Sequence, residues 1–271
     1  MTKEREANTA IGMKTSKKTG KSLMYWGVDI GSTYTKIAAL DANGGVSEVY
    51  TIHTLVNQDD RVMEFLNGKN ISSIVATGYG RDMMKQKTGC KSISEIQAHA
   101  KGACMFFEDT SVVIDLGGQD AKVIQIEDGQ FVDFRMNDKC AAGTGKFLEI
   151  AATRLGFALE EFGEACKKYD KLIEISSMCA VFAESELISL IAKKESAENI
   201  GAGVHNSVAS RLSTMARKYQ LDKRVVFTGG GALNPLLVEM LELQLEIKLS
   251  LHPYPQLNGA IGAAKIAFDG A

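Results

Sequence analysis

The sequence lacks any hydrophobic run that approaches the ~18 residues needed for a membrane-spanning helix, and its start has no apolar core typical of a secretory signal. Its 5 cysteines are an odd number without a Cys-x-x-Cys pair, a usage that favours a reducing cytoplasm over a disulfide framework. The net charge of -2 gives no support for nucleic acid or an acidic membrane as partner. We therefore expect a cytoplasmic protein with no nucleic-acid or membrane partner.

What is present is enough apolar sequence for a sizeable core. The chain has 271 residues, of which 45% are hydrophobic, and this length predicts about two lobes. Residues 1–22 are polar and basic, so we predict a flexible tail there. The expected division is 1–22 as tail, 23–110 plus 253–271 as lobe I, and 111–252 as lobe II.

The main feature of the sequence is a repeated segment. Asp-Ile-Gly-Ser-Thr-Tyr-Thr-Lys at 29–36 and Asp-Leu-Gly-Gly-Gln-Asp-Ala-Lys at 115–122 share Asp, Gly and Lys at one constant offset. Each copy interrupts two apolar runs with glycine, the pattern of two strands joined by a tight turn. Two matched turns indicate two lobes that hold one polyphosphate.

The residue types in both turns suit a nucleotide. Glycine lets the backbone approach a ligand closely, hydroxyls and lysine add donors, and carboxylates at strand ends hold Mg2+ through water. The candidate ligands are Gly31, Ser32, Thr33, Lys36, Gly117 and Gly118, with Asp29 and Asp115 at the strand ends. Ordinary hairpin chemistry explains either copy alone, but the matched pair favours phosphate binding.

Two further features complete a nucleotide site in the sequence. A triple glycine, Gly229-Gly230-Gly231, lies between a predicted strand at 224–227 and a helix that follows Asn234. The three glycines and Asn234 are the candidate ligands of the adenosine. Small residues dominate 94–107 and 259–264, which predicts two close-packed helices that act as hinges. Three strands, a helix and a strand before residue 78 have the order of a ribonuclease H-like unit.

Two cysteines occupy similar positions. Cys140 and Cys179 immediately precede predicted helices at 141–155 and 180–194. A helix start favours thiolate over thiol. The alternative is that each is a small buried hydrophobe. Cys90, Cys104 and Cys166 lack this setting and receive no role.

From residue 25 to 264, the order of turns, small-residue helices and glycine loop resembles the superfamily of acetate and sugar kinases, heat-shock chaperones and actin. This resemblance implies an α/β fold of two ribonuclease H-like lobes with an ATP cleft between them. ATP, ADP and Mg2+ are the implied ligands. The lobes of that superfamily rotate about the two crossing helices, and Gln119 is a candidate to position the attacking water, with a role in the turn as the alternative.

The segments 137–145 and 179–186 resemble more specifically the activators of 2-hydroxyacyl-CoA dehydratases, the BadF/BadG/BcrA/BcrD-type ATPases. This resemblance implies that Cys140 and Cys179 ligate one 4Fe-4S cluster shared by a homodimer, since four thiolates are needed. ATP turnover would change the angle between the cysteine-bearing helices and drive one electron at low potential. The implied partners are an iron-sulfur dehydratase or reductase and a ferredoxin or flavodoxin donor, in an anaerobic cytoplasm.

Three other functions use the same fold. A small-molecule kinase acting on a sugar or carboxylate is the main alternative. Iron bound at Cys140 and Cys179 would distinguish the activator from this kinase. A chaperone-type ATPase is disfavoured because no long insertion is present within 271 residues. The third alternative is a subunit of an aryl-CoA reductase, which differs from the activator only in being a permanent part of its enzyme.

Overall fold

The structure, a computed structural model, describes residues 23–176 and 180–271. The predicted tail at 1–22 and Cys179 lie outside the described residues. Two compact units divide the chain, one of Met1–Ala98 with Gly259–Ala271 and one of His99–Asn258. None of the helices in the described ranges is long and apolar enough to cross a bilayer.

Both units contain strands and helices. The strands are β1 (Met24–Ile30), β2 (Tyr34–Leu40), β3 (Val46–His53), β4 (Ile71–Gly78), β5 (Lys91–Ser92), β6 (Thr110–Leu116), β7 (Ala121–Glu127), β8 (Gln130–Asn137), β9 (Arg224–Gly229) and β10 (Ser250–Leu251). The helices are α1 (Gln58–Leu66), α2 (Arg81–Thr88), α3 (Glu95–Phe106), α4 (Gly145–Leu155), α5 (Leu159–Cys166), α6 (Ala180–Ala192), α7 (Ala197–Ala216), α8 (Pro235–Leu245) and α9 (Asn258–Asp269). Short 3-10 helices span Ala141–Gly143, Gly230–Leu233 and Pro255–Leu257.

The two sheets have the same design. The first has the order β3-β2-β1-β4-β5 and the second β10-β9-β6-β7-β8. In each, the first strand of a hairpin pairs antiparallel with the next strand and parallel with a strand on its other side. This is the ribonuclease H-like order predicted from the sequence, and the α/β fold is confirmed.

Glycine allows helices to lie close to their neighbours at two places. A Cβ on Gly27 of β1 would lie 1.9 Å from the carbonyl oxygen of Ala260 in α9. In the second unit, a Cβ on Gly203 of α7 would lie 2.2 Å from the carbonyl oxygen of Ile173. Both distances are too short for any side chain, so the close packing of these elements depends on glycine.

Candidate nucleotide and cysteine sites

The first predicted phosphate turn joins β1 to β2. Asp29 and Lys36 are cross-strand partners, and Lys36 Nζ lies 3.4 Å from Asp29 Oδ2. The N–H of Gly31 donates to the carbonyl of Tyr34 at 3.1 Å, and a Cβ on Gly31 would lie 2.9 Å from that oxygen. The tight turn thus places a buried carboxylate beside a half-buried ammonium group, which is suitable chemistry for phosphate and Mg2+.

Two supports of this turn carry no strong signal in the sequence. Thr54 Oγ1 donates to the carbonyl of Gly31 at 2.8 Å and lies 3.0 Å from Thr35 Oγ1. Gly78 has a φ of +81°, and a Cβ there would lie 2.6 Å from Asp29 Oδ1. Because these contacts join distant parts of the sequence, only the folded sheet reveals them. Ser32 is exposed and Thr33 is half-buried, so the predicted hydroxyls lie at the accessible side of the turn.

The second turn joins β6 to β7 and holds its charges more deeply. Asp115 and Lys122 are again cross-strand partners. Asp115 Oδ1 accepts a hydrogen bond of 2.7 Å from Thr228 and lies 3.4 Å from His99 Nδ1, while Oδ2 lies 3.6 Å from Lys122 Nζ. Lys122 is 2% exposed and also donates to Asp120 at 2.8 Å. The lysine of the second turn is therefore paired inside the protein, whereas Lys36 is accessible.

The tip of the second turn is formed by Gly117, Gly118 and Gln119. The N–H of Gly117 donates to the carbonyl of Asp120 at 2.9 Å, and a Cβ on Gly117 would lie 2.5 Å from Asp120 Oδ1. Gly118 and Gln119 are exposed. A ligand can therefore reach the Gln119 side chain and the backbone of Gly118.

The three glycines after β9 have different structural roles. Gly229 has a φ of +82° and lies against the Leu116 carbonyl, where a Cβ would be 2.3 Å from the oxygen. A Cβ on Gly231 would lie 2.5 Å from the Leu116 side chain. Gly230 is exposed, and its nearest neighbour would be Gln256 Nε2 at 3.7 Å. Gly229 and Gly231 anchor the loop, and Gly230 is the glycine that is open to a ligand.

Asn234 has its side chain engaged within the protein. Its Oδ1 accepts from the N–H of Leu237 at 3.0 Å and caps α8, while its Nδ2 lies 2.9 Å from His205 Nε2. We predicted Asn234 from the sequence as a nucleotide ligand. Both ends of its amide have hydrogen-bond partners within the protein, and its role toward the nucleotide stays a prediction.

The second turn is bonded directly to the start of α4. The N–H of Gly145 donates to the carbonyl of Gly117 at 2.9 Å, and that of Lys146 donates to the carbonyl of Gly118 at 2.8 Å. A Cβ on Gly145 would lie 2.8 Å from the Gly117 oxygen, so the contact requires glycine. A nucleotide bound at this turn would therefore touch the peptide units that hold α4.

The predicted helix at 141–155 begins later than expected. A 3-10 turn covers Ala141–Gly143, and α4 itself starts at Gly145 with Thr144 as its N-cap. Thr144 is extended, with φ −131°, and its hydroxyl accepts from the N–H of Lys146 at 3.3 Å. Cys140 is thus separated from the positive end of α4 by one short turn, and the prediction that it immediately precedes a long helix was wrong.

Cys140 is half-buried and follows an exposed strand. Its N–H donates to Asn137 Oδ1 at 3.1 Å, and its carbonyl accepts from Asn137 Nδ2 at 2.9 Å. Val132, Phe134 and Met136 form an exposed apolar row on β8 just before it. The cysteine is therefore held on a fixed turn at the surface of its unit, next to an apolar strand.

The helix that follows Cys179 is fastened at two points. Arg154 Nε in α4 donates to Glu184 Oε1 in α6 at 2.7 Å. Glu186 Oε1 accepts from the N–H and the hydroxyl of Ser176, at 3.0 Å and 2.9 Å. These contacts connect the two cysteine-bearing regions, although Cys179 itself lies outside the described residues.

Within residues 23–176 and 180–271, no three His, Cys, Asp or Glu side chains come together to hold a metal ion. Cys140 and Cys179 together provide two thiolates per chain, and a 4Fe-4S cluster takes four.

The remaining cysteines have different surroundings. Burial raises the pKa of Cys166 to about 12, with a smaller contribution from Glu198, and burial also raises the pKa of Cys104. Both stay thiols at neutral pH, and Cys90 packs beside the core of the first unit.

The sequence matches the BadF/BadG/BcrA/BcrD ATPase family over residues 26–267. It is 41% identical over 254 residues to the activator of lactoyl-CoA dehydratase from Anaerotignum propionicum, with 90% of this chain and 97% of that protein covered. The family match at 26–267 extends over both units.

Two solved structures are similar along the whole described chain. Component A of the (R)-2-hydroxyglutaryl-CoA dehydratase from Acidaminococcus fermentans is 38% identical with a TM-score of 0.86, covering 92% of this chain and 99% of that chain. The activator of the 2-hydroxyisocaproyl-CoA dehydratase from Clostridium difficile, with bound ADPNP, is 38% identical with a TM-score of 0.83, covering 91% and 95%. Sequence and fold thus agree on one family.

Proposed function

The chain belongs to the BadF/BadG/BcrA/BcrD ATPase family, and from that membership we propose that it is an ATP-dependent activator of a 2-hydroxyacyl-CoA dehydratase or a related iron-sulfur reductase. Such an activator uses ATP hydrolysis to deliver one electron at low potential. The observation that carries the proposal is 38% to 41% identity, over at least nine-tenths of the chain, to proteins named for three such dehydratases. Because their acyl chains differ, the substrate of the partner is defined only as a class.

The cysteines define the electron-transfer site. Cys140 and Cys179 of two copies would hold one 4Fe-4S cluster on the axis of a homodimer. When bound, that cluster supplies one-electron transfer. The fixed turn at Cys140 and the contact of Arg154 with Glu184 would hold both ligand segments in one arrangement, since each is bonded to its surroundings.

The turns define the nucleotide site. Asp29 and Asp115 would hold Mg2+ through water, and the accessible Lys36 would bind phosphate. Gly230 would meet the adenosine, because it is the open glycine of its loop. Gln119, exposed at the tip of its turn, would position the attacking water.

Hydrolysis would act on the cysteine through the backbone. The second turn holds α4 by hydrogen bonds to Gly145 and Lys146, and Cys140 lies just before that helix. A shift of the turn would therefore move the Cys140 segment. A tenfold difference in ATP affinity between two states corresponds to about 59 mV for one electron, which is a useful change in potential.

The experiment is oxygen-free purification followed by iron, sulfide and mass analysis. We expect a brown dimer with about four iron and four sulfide per dimer in the wild type. Cys140→Ala and Cys179→Ala should each lose the iron while they still bind ATP. Cys90→Ala is the matched control and should keep it.

The outcomes distinguish the main alternatives. An iron-free monomer that transfers phosphate from ATP to a sugar or carboxylate would support the kinase and exclude the activator. Reduction by a ferredoxin or flavodoxin, followed by ATP-dependent reactivation of an iron-sulfur dehydratase, would support the electron route. Copurification with a reductase after gentle lysis would indicate a permanent subunit, within the anaerobic cytoplasm that we expect.

A further inference from the structure

A buried hydrogen-bonded chain connects α7 to the end of the glycine loop. His205 is 0% exposed, and its Nδ1 lies 2.7 Å from the carbonyl oxygen of Gly201. Its Nε2 lies 2.9 Å from Asn234 Nδ2. Because a carbonyl oxygen can only accept, Nδ1 carries the hydrogen and Nε2 is the acceptor for the amide.

Burial keeps this imidazole neutral. It lowers the pKa of His205 to about 4, while hydrogen bonds with Gly201 and Asn234 oppose the shift in part. The ring centroids of Phe162 and His205 lie 4.6 Å apart, so the two rings pack together. At neutral pH, His205 therefore presents a single acceptor in a fixed position.

Asn234 is held from several elements. A Cβ on Gly163 of α5 would lie 2.3 Å from Asn234 Oδ1, so α5 leaves space for the amide. The backbone N–H of Asn234 donates to the carbonyl of Gly231 at 3.1 Å. The same residue thus ends the glycine loop, caps α8 and contacts His205.

The acceptor on His205 decides which way the amide faces. Only with Nδ2 toward His205 does Oδ1 face the N–H of Leu237, at 3.0 Å. Without an acceptor at Nε2, the half-buried amide would lose its protein partner at Nδ2, or it would turn and lose the cap. The conformation at the end of the glycine loop therefore depends on the orientation of the Asn234 amide.

We propose that His205 is a positioning residue for the nucleotide, which acts through Asn234 on the glycine loop that meets the adenosine. This inference rests on the proposed nucleotide role of Gly230. His205 is fully buried, so its side chain is not available for direct contact with a bound nucleotide. Its contribution is therefore to the affinity for the adenosine part of ATP, and not to the cleavage of phosphate.

The test compares His205→Leu, which removes the acceptor, with His205→Gln, whose side-chain carbonyl supplies one. We measure KM and kcat for ATP hydrolysis and the inhibition constant of inorganic tripolyphosphate, which has no adenosine. His205→Leu should raise the KM for ATP about tenfold, the factor of one hydrogen bond. Its kcat and the tripolyphosphate constant should stay within twofold of wild type, and His205→Gln should restore KM to within threefold.

An equal loss of ATP and tripolyphosphate binding, or a KM within twofold of wild type in His205→Leu, would overturn the inference. If His205→Leu does not fold, Asn234→Ser replaces it as the test. Serine is a good N-cap, but its side chain is too short to reach His205 Nε2. It should raise the KM for ATP about tenfold and leave tripolyphosphate unaffected. The proposed function fails separately, through an iron-free wild type or through a Gly230→Val variant that binds ATP normally.

Discussion

The N–H of Gly145, the first residue of α4, donates to the carbonyl of Gly117 in the second phosphate turn at 2.9 Å. This bond joins the proposed nucleotide site to the segment that carries Cys140, within one compact unit. A direct backbone contact of this kind can transmit a small shift without a long chain of side chains. The coupling between ATP and the cysteine can therefore be tested at one residue.

Gly145→Ala should uncouple the two sites. The new Cβ would lie 2.8 Å from the Gly117 oxygen, so the turn and α4 must separate. We expect ADPNP to change the alkylation rate of Cys140 severalfold in iron-free wild-type protein and to change it less than half as much in the variant. Mass spectrometry of modified Cys140 measures both rates.

The control for that variant is Gly45→Ala, because a Cβ on Gly45 meets only ordinary contacts at 3.5 Å. It should respond to ADPNP like wild type. An undiminished response in Gly145→Ala, or no response in wild type, would refute the proposed link.

Asp115→Asn should slow ATP hydrolysis by about 100-fold or more. The carboxylate is held by Thr228 and faces Lys122, and the amide would lose the negative charge proposed to hold Mg2+. Phosphate release at saturating ATP measures the effect. Asp82→Asn is the control, because Asp82 is exposed in α2, and it should hydrolyse ATP at the wild-type rate. A rate for Asp115→Asn within tenfold of wild type would contradict the assignment of Asp115 to Mg2+.

Gly203→Ala should lower the free energy of unfolding by about 2 kcal/mol. Alanine favours a helix by about 1 kcal/mol over glycine, but its Cβ would lie 2.2 Å from the Ile173 carbonyl oxygen. Urea unfolding of iron-free protein measures the change. The control is Ser210→Ala, on the exposed side of the same helix, which should change the free energy of unfolding by less than about 0.5 kcal/mol. Equal stability of Gly203→Ala and wild type would show that α7 can move away from the Ile173 carbonyl.

Acid should destabilise the fold between pH 7 and pH 5. Burial lowers the pKa of both His205 and His252 to about 4 in the folded protein, whereas the unfolded histidines titrate near ~6.5. The unfolded state then binds more protons in this range, so the free energy of unfolding falls as the pH falls, by about 2 kcal/mol for each histidine. Urea unfolding of iron-free protein at pH 7 and at pH 5 measures this fall in the free energy of unfolding.

His252→Gln should reduce that loss by about 2 kcal/mol. His53→Gln changes an exposed histidine and should keep the wild-type dependence on pH. If His252→Gln showed the full wild-type loss, the buried imidazole would not be the group that takes up the proton.

The strand pairs were the most predictable part of the fold. Apolar runs broken by glycine predicted the hairpins of β1 with β2 and β6 with β7, because both apolar runs and turn residues are local signals. The start of α4 was not predictable in the same way. Ala141-Ala142-Gly143 reads as helical, but Thr144 interrupts it as a cap, and its extended backbone depends on the contact of Gly145 with the distant turn.

The candidate site was likewise predictable only in part from the sequence. The sequence identified both aspartates, the glycines of the turns and Cys140 as candidates, since glycine, carboxylate and thiolate each have a characteristic chemistry. It did not show that Lys122 is paired inside while Lys36 is accessible. It also did not show that Asn234 faces His205, because the two side chains meet only when α7 packs against α8.

By itself, the sequence determined the residue chemistry and the fold class of this protein, because repeated turns and the apolar runs on either side of them are encoded in short stretches. The tertiary structure alone decided which of those groups are available to a ligand. Burial and cross-element hydrogen bonds assign Lys122, Asn234 and His205 to internal partners and leave Lys36, Gly230 and Gln119 accessible. The physical reason is that a polar group removed from water must find a partner within the fold, and that partner comes from a distant part of the chain.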